Sequence, residues 1–138
     1  MDDITFQKEL SNSIKNTIKW AKINYILAHI VFTISIVSSF GGSLIIALGK
    51  DKILTVILAA LPGLMLLINN TFRFEERAKW FWRKTRVSEA YSRELRDKSD
   101  PDTHLLSQNY SKELAELELE WPAFGSSPSQ PQKDGIKH

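Results

Sequence analysis

Two long stretches without charge dominate the pattern of hydrophobic and polar positions along the chain. Between Lys22 and Lys50, 27 consecutive residues include no Asp, Glu, Lys or Arg, and a second stretch of 20 such residues covers 53–72. A helix rises about 1.5 Å per residue, so roughly 20 apolar residues cross the hydrocarbon core of a bilayer. The pattern therefore predicts two membrane-spanning helices, over residues 23–48 and 53–72.

A soluble helical bundle with two buried core helices is the alternative to this prediction. Core helices of such a bundle normally carry polar residues at helical spacing, because one face stays in contact with water. They also need other helices around them, and a chain of 138 residues has little material left to supply these. We therefore expect an all-α membrane protein: a two-transmembrane helical hairpin with a cytoplasmic N-terminal helix and a C-terminal helical pair, assembled into an oligomeric bundle.

The connection between the two predicted spans is very short. Only residues 49–52 separate them, so the spans must return antiparallel as a helical hairpin with both ends on one side of the membrane. Lys and Arg residues number four before the first span and six within residues 73–92, against two in the connection. By the positive-inside rule, both termini are predicted to be cytoplasmic.

The residues before the first span, 1–22, are predicted to form a cytoplasmic amphipathic helix. Phe6, Leu10, Ile14 and Ile18 recur every four residues and give this helix an apolar stripe. An apolar stripe in water has to be covered, so the helix needs a partner.

Residues 73–121 are predicted to form the remaining cytoplasmic helices. No glycine or proline lies between Gly63 and Pro101, so the second span is expected to continue as one helix well into the cytoplasm. Asp100 is then the expected N-cap of a final helix, with Pro101 at its first position. This final helix, over about 102–120, carries an apolar stripe of its own.

The two C-terminal helices differ in charge. Residues 73–98 carry nine Lys or Arg and five Asp or Glu, whereas residues 99–124 carry one Lys and six acidic residues. Opposite charge and matching stripes predict that the two helices pair antiparallel; the basic helix facing lipid headgroups or an anionic ligand is the alternative. Residues 122–138 are rich in Pro, Ser, Gly and Lys and are predicted to form a disordered tail.

The composition restricts the chemistry of the chain. The formal net charge of +2 is small, and the absence of cysteine excludes disulfides, thiol catalysis and cysteine-ligated metals. The spans contain no paired carboxylates, no histidine pair and no metal-ligand spacing, so we expect a protein that is not an enzyme and uses no metal or cofactor. They also contain no acidic residue, which argues against proton-coupled transport.

The first span carries several polar residues on an otherwise apolar helix. Small and hydroxylated side chains let neighbouring helices approach closely and hydrogen-bond, which is the simpler interpretation. The alternative is that these residues line a pore once several copies assemble, because two helices alone cannot enclose a conduit. The candidate pore-lining residues are His29, Thr33, Ser35, Ser39 and Ser43.

Glycine and proline mark the places where the spans can bend. Pro62 removes a backbone hydrogen bond in the middle of the second span, and the neighbouring Gly63 permits bending. Gly41 and Gly42 form a corresponding pair in the first span. These four residues are the candidates for a gating hinge, and a static kink is the alternative.

Aromatic and basic residues mix in the run 80–86, close to the end of the second span. Such a mixture anchors helices at a membrane interface, and it also occurs where basic groups pair with phosphates and aromatic rings stack on bases. Trp80 and Trp82 lie about 200° apart around a helix, so both cannot serve one pocket.

An ordered set of motifs extends over nearly all of residues 20–121. Its elements are Trp20 before the first span, the tight hairpin, the run Trp80-x-Trp-Arg-x-x-Arg, and then Glu89, Leu95, Tyr110, Glu116, Glu118, Glu120 and Trp121. In this order the motifs resemble the SLATT family of bacterial conflict-system effectors.

The resemblance implies an oligomeric pore or ion channel of the bacterial inner membrane that acts in anti-phage defence. Family members are coupled to nucleotide-synthesising enzymes, which implies a nucleotide or oligonucleotide second messenger as the gating ligand and a nucleotidyltransferase-type partner. Opening would depolarise the membrane and cause growth arrest or cell death, and small channels set the precedent for a tetramer. With an oligonucleotide ligand, the implied phosphate contacts are Lys79, Arg83, Lys84 and Arg86.

Two other functions stay open on the residues alone. In a membrane-anchored adaptor, the hairpin would merely hold the cytoplasmic helices near a partner protein. A holin-like lytic protein would make holes large enough to pass proteins, whereas a channel would pass only ions.

Overall fold

A computed structural model describes residues 3–49, 52–98 and 102–123. These residues are 92% helical and none of them forms a strand, which confirms the predicted all-α class. The helices are α1 (Asp3–Ala47), α2 (Lys52–Phe72), α3 (Phe74–Asp97) and α4 (Thr103–Leu119). The windows that are long and apolar enough to cross a membrane lie in α1 and in the stretch that begins with α2, as the sequence predicts.

Helix α1 is a single rod that contains both the predicted cytoplasmic helix and the predicted first span. Its 45 residues extend over about 68 Å, more than twice the roughly 30 Å hydrocarbon core of a bilayer. Two rows at seven-residue spacing contain most of its buried side chains; the buried members are Leu10, Thr17, Asn24 and Ser38 in one row, and Ala21 and Gly42 in the other. Seven residues make nearly two helical turns, so these rows form one continuous seam.

The predicted stripe on the N-terminal part of α1 follows this seam only at its start. Phe6 and Leu10 are fully buried, whereas Ile14 and Ile18 are half-buried. A four-residue spacing advances about 40° around the helix at each step, so the stripe drifts away from the seam. Thr17 and Ala21 occupy the buried positions at that level instead.

Helices α2 and α3 both pack antiparallel to α1 in one register. Near the hairpin connection, a Cβ on Gly42 would lie 3.6 Å from the Cβ of Leu58. Further along, Trp20 stacks on Phe81 with ring centroids 6.4 Å apart. The hydroxyls of Thr17 and Thr85 lie 2.8 Å apart at the next level. Moving forward along α1 therefore corresponds to moving back along α3 and then along α2.

The second span does not continue as an unbroken helix, which corrects the sequence-based prediction. Arg73 separates α2 from α3 with φ 50° and ψ 46°, in the left-handed region. Its N–H still donates to the Asn69 carbonyl at 2.8 Å, so the hydrogen-bond ladder ends regularly before the turn. The turn brings the rings of Phe72 and Phe74 into a parallel stack with centroids 5.4 Å apart, whereas a regular helix would point them about 200° apart. The stack and the Arg73–Glu76 ion pair accompany this conformation.

Helix α4 joins the N-terminal half of α1 and α3 to form what we call the polar bundle, the three-helix unit of residues 3–22, α3 and α4. Phe6, Leu10, Leu106 and Tyr110 form its core, and Val87, Tyr91, Leu95 and Leu114 pack around them. The hydroxyl of Tyr110 lies 3.0 Å from that of Ser88 and 3.2 Å from that of Ser13, so all three helices meet at one hydrogen-bonded point. The prediction that the α1 stripe needs a partner is confirmed for Phe6 and Leu10.

The predicted antiparallel pairing of the basic and acidic helices is confirmed between α3 and α4. Trp80 donates its indole N–H to the Leu117 carbonyl at 2.8 Å, and Arg83 forms an ion pair with Glu120. At the other end of the pair, the rings of Tyr91 and Tyr110 lie 5.3 Å apart.

The beginning and the end of α4 differ from the sequence-based prediction. Asp102 is the N-cap, since its side chain accepts from the Leu105 N–H at 3.0 Å; Asp100 and Pro101 lie outside the described residues. Pro122, the first residue of the predicted tail, is buried, and its carbonyl accepts from Arg77 at 3.4 Å. Residues 124–138 lie outside the described residues.

Truncating the core of the polar bundle tests its packing. We expect Phe6→Ala to lower the free energy of unfolding by about 3–5 kcal/mol, because a large, fully buried ring is removed. Ile4→Ala on the same helix is the matched control, since Ile4 is 80% exposed, and its effect should stay within about 0.5 kcal/mol. Thermal unfolding of the full-length chain in detergent, followed by circular dichroism, measures both; equal effects would contradict this core.

The left-handed turn at Arg73 makes a second, independent prediction. Both Arg73→Gly and Arg73→Ala remove the ion pair, but only glycine adopts a positive φ without steric cost, so the glycine variant should be the more stable by about 1 kcal/mol. At the exposed position Arg86 within α3, the same two substitutions should show the opposite order, with alanine favoured by about 1 kcal/mol. The same order at both positions would place Arg73 in a regular helix.

Candidate functional site at the junction of the spans and the polar bundle

A groove lies where α1, α2 and α3 meet, close to the turn at Arg73. We call it the junction groove, and its volume is about 490 Å³, within the range of roughly 300–1,000 Å³ typical of ligand sites. It brings together side chains that are far apart along the chain, and its lining residues include His29, Phe32, Met65, Glu75, Lys79 and Trp82.

One wall of the junction groove comes from α1. The rings of Tyr25 and His29 lie 4.1 Å apart, and His29 Nδ1 lies 2.9 Å from the Tyr25 carbonyl oxygen. A carbonyl can only accept, so Nδ1 carries the proton and the imidazole is held against its own helix. Nε2 is then the acceptor nitrogen of the neutral ring.

The opposite wall carries an ion pair on α3. The Lys79 ammonium lies 2.6 Å from the Glu75 carboxylate, and both side chains are largely exposed, at 70% and 68%. This hydrogen bond and the charge of Lys79 hold the pKa of the Glu75 carboxyl below its usual value, and the pKa of Lys79 is raised for the same reason. The groove therefore presents one fixed negative and one fixed positive charge at neutral pH.

The five candidate pore-lining residues divide between two faces of α1. Ser35 is half-buried on the seam, whereas His29, Thr33, Ser39 and Ser43 are exposed. Ser39 and Ser43 donate to the carbonyls of Ser35 and Ser39, four residues back, at 2.9 and 3.0 Å. Ser38 is the buried serine of this region, at a position that the sequence does not distinguish from its neighbours.

The four hinge candidates also differ in their surroundings. Gly42 lies against Leu58 and Ala59 of α2, so the two helices approach closely there, whereas nothing lies within 4 Å of a Cβ added at Gly41 or Gly63. Helix α2 continues through Pro62. The break between α2 and α3 lies at Arg73, where the sequence has no glycine or proline to indicate it.

The run 80–86 separates into two sides of α3, as the helical geometry predicts. Trp80 is buried against Trp121, with ring centroids 4.6 Å apart, whereas Trp82 faces the junction groove. The expectation that both indoles cannot serve one pocket is confirmed.

The four basic ligand candidates are not gathered at one point. Lys79 pairs with Glu75, and Arg83 pairs with Glu120 of α4. The Lys84 ammonium lies 5.3 Å from the ring centre of Trp80, on the other side of α3, and Arg86 is exposed. Two of the four charges are therefore already paired with a carboxylate.

Sequence reasoning found His29 but missed its neighbours in the groove. Asn69, Glu75 and Trp82 line it with His29, although they follow it by 40 residues or more. The signal that points to Glu75 and Lys79 is their four-residue spacing, which predicts the ion pair but not what it faces. Among the described residues, no group of three or more His, Cys, Asp or Glu side chains is placed to hold a metal ion.

The geometry thus defines an all-helical protein with two helices long and apolar enough to cross a membrane, joined to a polar three-helix bundle. Compared with models of known families, the chain matches none, and no curated protein and no solved structure matches it either. The resemblance to the SLATT family stays a prediction from the motifs.

Close packing at Gly42 can be tested by adding volume. A Cβ there would make ordinary contacts at 3.6 Å, so Gly42→Ala should be tolerated, whereas the longer side chain of Gly42→Leu has to push α1 and α2 apart. We expect Gly42→Leu to be less stable than Gly41→Leu by about 1–3 kcal/mol, because Gly41 has open space. Thermal unfolding in detergent measures the difference, and no difference would show that the helices do not meet there.

Proposed function

We propose that the chain is an oligomeric pore of the bacterial inner membrane, with its termini and the polar bundle in the cytoplasm. The observation that carries membrane insertion is the exposure of the apolar helices. In the stretch that begins with α2, 0% of the apolar window is buried, and in α1 the buried share of the apolar window is 11%. Core helices of a soluble protein would be covered, so these surfaces require lipid or further copies of the chain.

Assembly into a pore is supported by the polar side chains that α2 leaves uncovered. His29, Thr33, Ser39 and Ser43 are all exposed, and His29 lines the junction groove. The bonds of His29, Ser39 and Ser43 to the preceding turn let single side chains face lipid, but four polar side chains on one span favour contact with water or with other copies. One hairpin cannot enclose a water-filled path, so a pore requires several copies of the chain. We propose four copies, by analogy with other small channels.

The polar bundle is the part on which a signal would act. It shares α1 with the first span and joins the second span through the single residue Arg73, so a change in the bundle reaches both spans without passing through a long loop. A nucleotide or oligonucleotide second messenger, a nucleotidyltransferase-type partner and a role in anti-phage defence rest on the family resemblance. Of the four basic candidates, Lys84 and Arg86 are those without a carboxylate partner among the described contacts.

Conductance across planar bilayers tests the pore directly. Purified full-length protein should give reproducible ion conductance. Silence despite verified insertion would favour the membrane-anchored adaptor, and passage of folded proteins would favour the holin-like alternative.

The role of His29 is tested by pH. Histidine is the side chain that ordinarily changes charge between about pH 5 and 8, and Glu75 and Lys79 of α3 are the charged groups that share its groove. If His29 faces the conduction path, the ratio of conductance at about pH 5.5 to that at about pH 7.5 should differ from one and return to about one in His29→Ala. His104→Ala, at an exposed position on α4, is the matched control. An unchanged ratio in His29→Ala would remove His29 from the path.

A further inference from the structure

The junction groove changes in polarity along its length. On the side of the spans it is lined mostly by apolar side chains, Phe32, Met65 and Leu66 among them, with the uncharged polar side chains of Ser35 and Asn69 beside them. On the side of the polar bundle it is lined by Glu75 and Lys79. A ligand that fits this gradient has an apolar part that extends along the spans and a polar part beside α3.

The polar end of the groove carries one negative and one positive side chain. The Glu75 carboxylate and the Lys79 ammonium are fixed 2.6 Å apart, and both stay accessible. An anionic headgroup prefers a site with an excess of positive charge, whereas a zwitterion finds both of its charges matched here. The carboxylate accepts hydrogen bonds, which favours a headgroup with a primary ammonium over one with a quaternary ammonium, because the latter has no N–H to donate.

The location of the groove narrows the class of ligand further. Tyr25 and Trp82 line it at the end of the apolar spans, and both are partly exposed. Tyrosine and tryptophan are enriched at the level of lipid headgroups. The polar end of the groove would thus lie at headgroup level, with its apolar end among the acyl chains.

We propose that the junction groove binds a phospholipid of the inner leaflet with a zwitterionic, primary-amine headgroup, as in phosphatidylethanolamine. Its ammonium contacts the Glu75 carboxylate and its phosphate contacts the Lys79 ammonium. The two side chains stay paired with each other, since both are exposed enough to take a second partner. An acyl chain lies along Phe32 and Leu66. The proposal rests on the membrane insertion proposed above, but not on conduction. A bound lipid there contacts all three helices at the turn and so links the position of α3 to that of the spans.

Quenching of Trp82 by brominated lipids tests this site. Full-length protein is reconstituted in phosphatidylcholine vesicles that contain a small fraction of brominated phosphatidylethanolamine, phosphatidylcholine or phosphatidylglycerol with identical chains. We expect the amine lipid to be preferred over phosphatidylcholine by about two- to fivefold, which is the range for an exposed ion pair. The amine-selective part of the quenching should vanish in Trp82→Phe and persist in Trp121→Phe, since both indoles are 37% exposed but only Trp82 lines the groove.

Removing the carboxylate identifies the contact. Glu75→Gln should bring the preference for the amine lipid to about one, whereas Glu89→Gln, an equal change of charge at an exposed site on α3 outside the groove, should leave it unchanged. Equal quenching by all three lipids, or stronger quenching by phosphatidylglycerol, would overturn the proposal. Trp82 quenched by none of them would also overturn it and assign the groove to a second copy of the chain.

Flotation of the same vesicles separates this proposal from the proposed function. Protein that fails to float with the lipid contradicts membrane insertion and with it both proposals. Protein that floats and conducts ions without lipid selectivity at Trp82 overturns only the lipid site.

Discussion

The seam of α1 is the interaction on which the rest of the structure depends. It follows a seven-residue repeat along both the apolar and the polar half of the helix, and α2 and α3 dock against it in one continuous register. Helix α4 then closes the polar bundle over Phe6 and Leu10. Since one helix carries both halves, the spans and the polar bundle cannot be positioned independently, and their relative placement follows from the phase of a single repeat.

The size and polarity of the seam residues differ between the half of α1 in the polar bundle and the half near the hairpin connection. In the polar bundle the seam begins at Leu10, beside Phe6; both are large and apolar, and exclusion of water favours their burial. Towards the hairpin connection it uses Ser38 and Gly42. In the membrane location proposed above, lipid tails are as apolar as the side chains they would replace, so close packing of small residues, rather than a hydrophobic core, would hold the spans together.

The junction groove lies where the partner of α1 changes from α2 to α3. The left-handed Arg73 ends α2 and starts α3, and Glu75 and Lys79 follow it at once. His29 and Trp82 reach the same space from α1 and α3. Within the part of the chain that the structure describes, the uncharged surface of the spans, a histidine and an ion pair come together here, which is why both proposals involve it.

The sequence alone determined the two apolar helices, the tight hairpin, the burial of Phe6 and Leu10 and the charge-assisted pairing of α3 with α4. These features follow from periodicity and charge along short segments, so they can be predicted without knowing the fold. Only the tertiary structure decided the turn at Arg73 and the position of Glu75 and Trp82 beside His29. No glycine or proline marks that turn, and the ring stack and ion pair that accompany it are contacts of the bent conformation, which a helical pattern in the sequence does not reveal. The groove needs three segments that are distant in sequence, and no local pattern specifies how such segments meet.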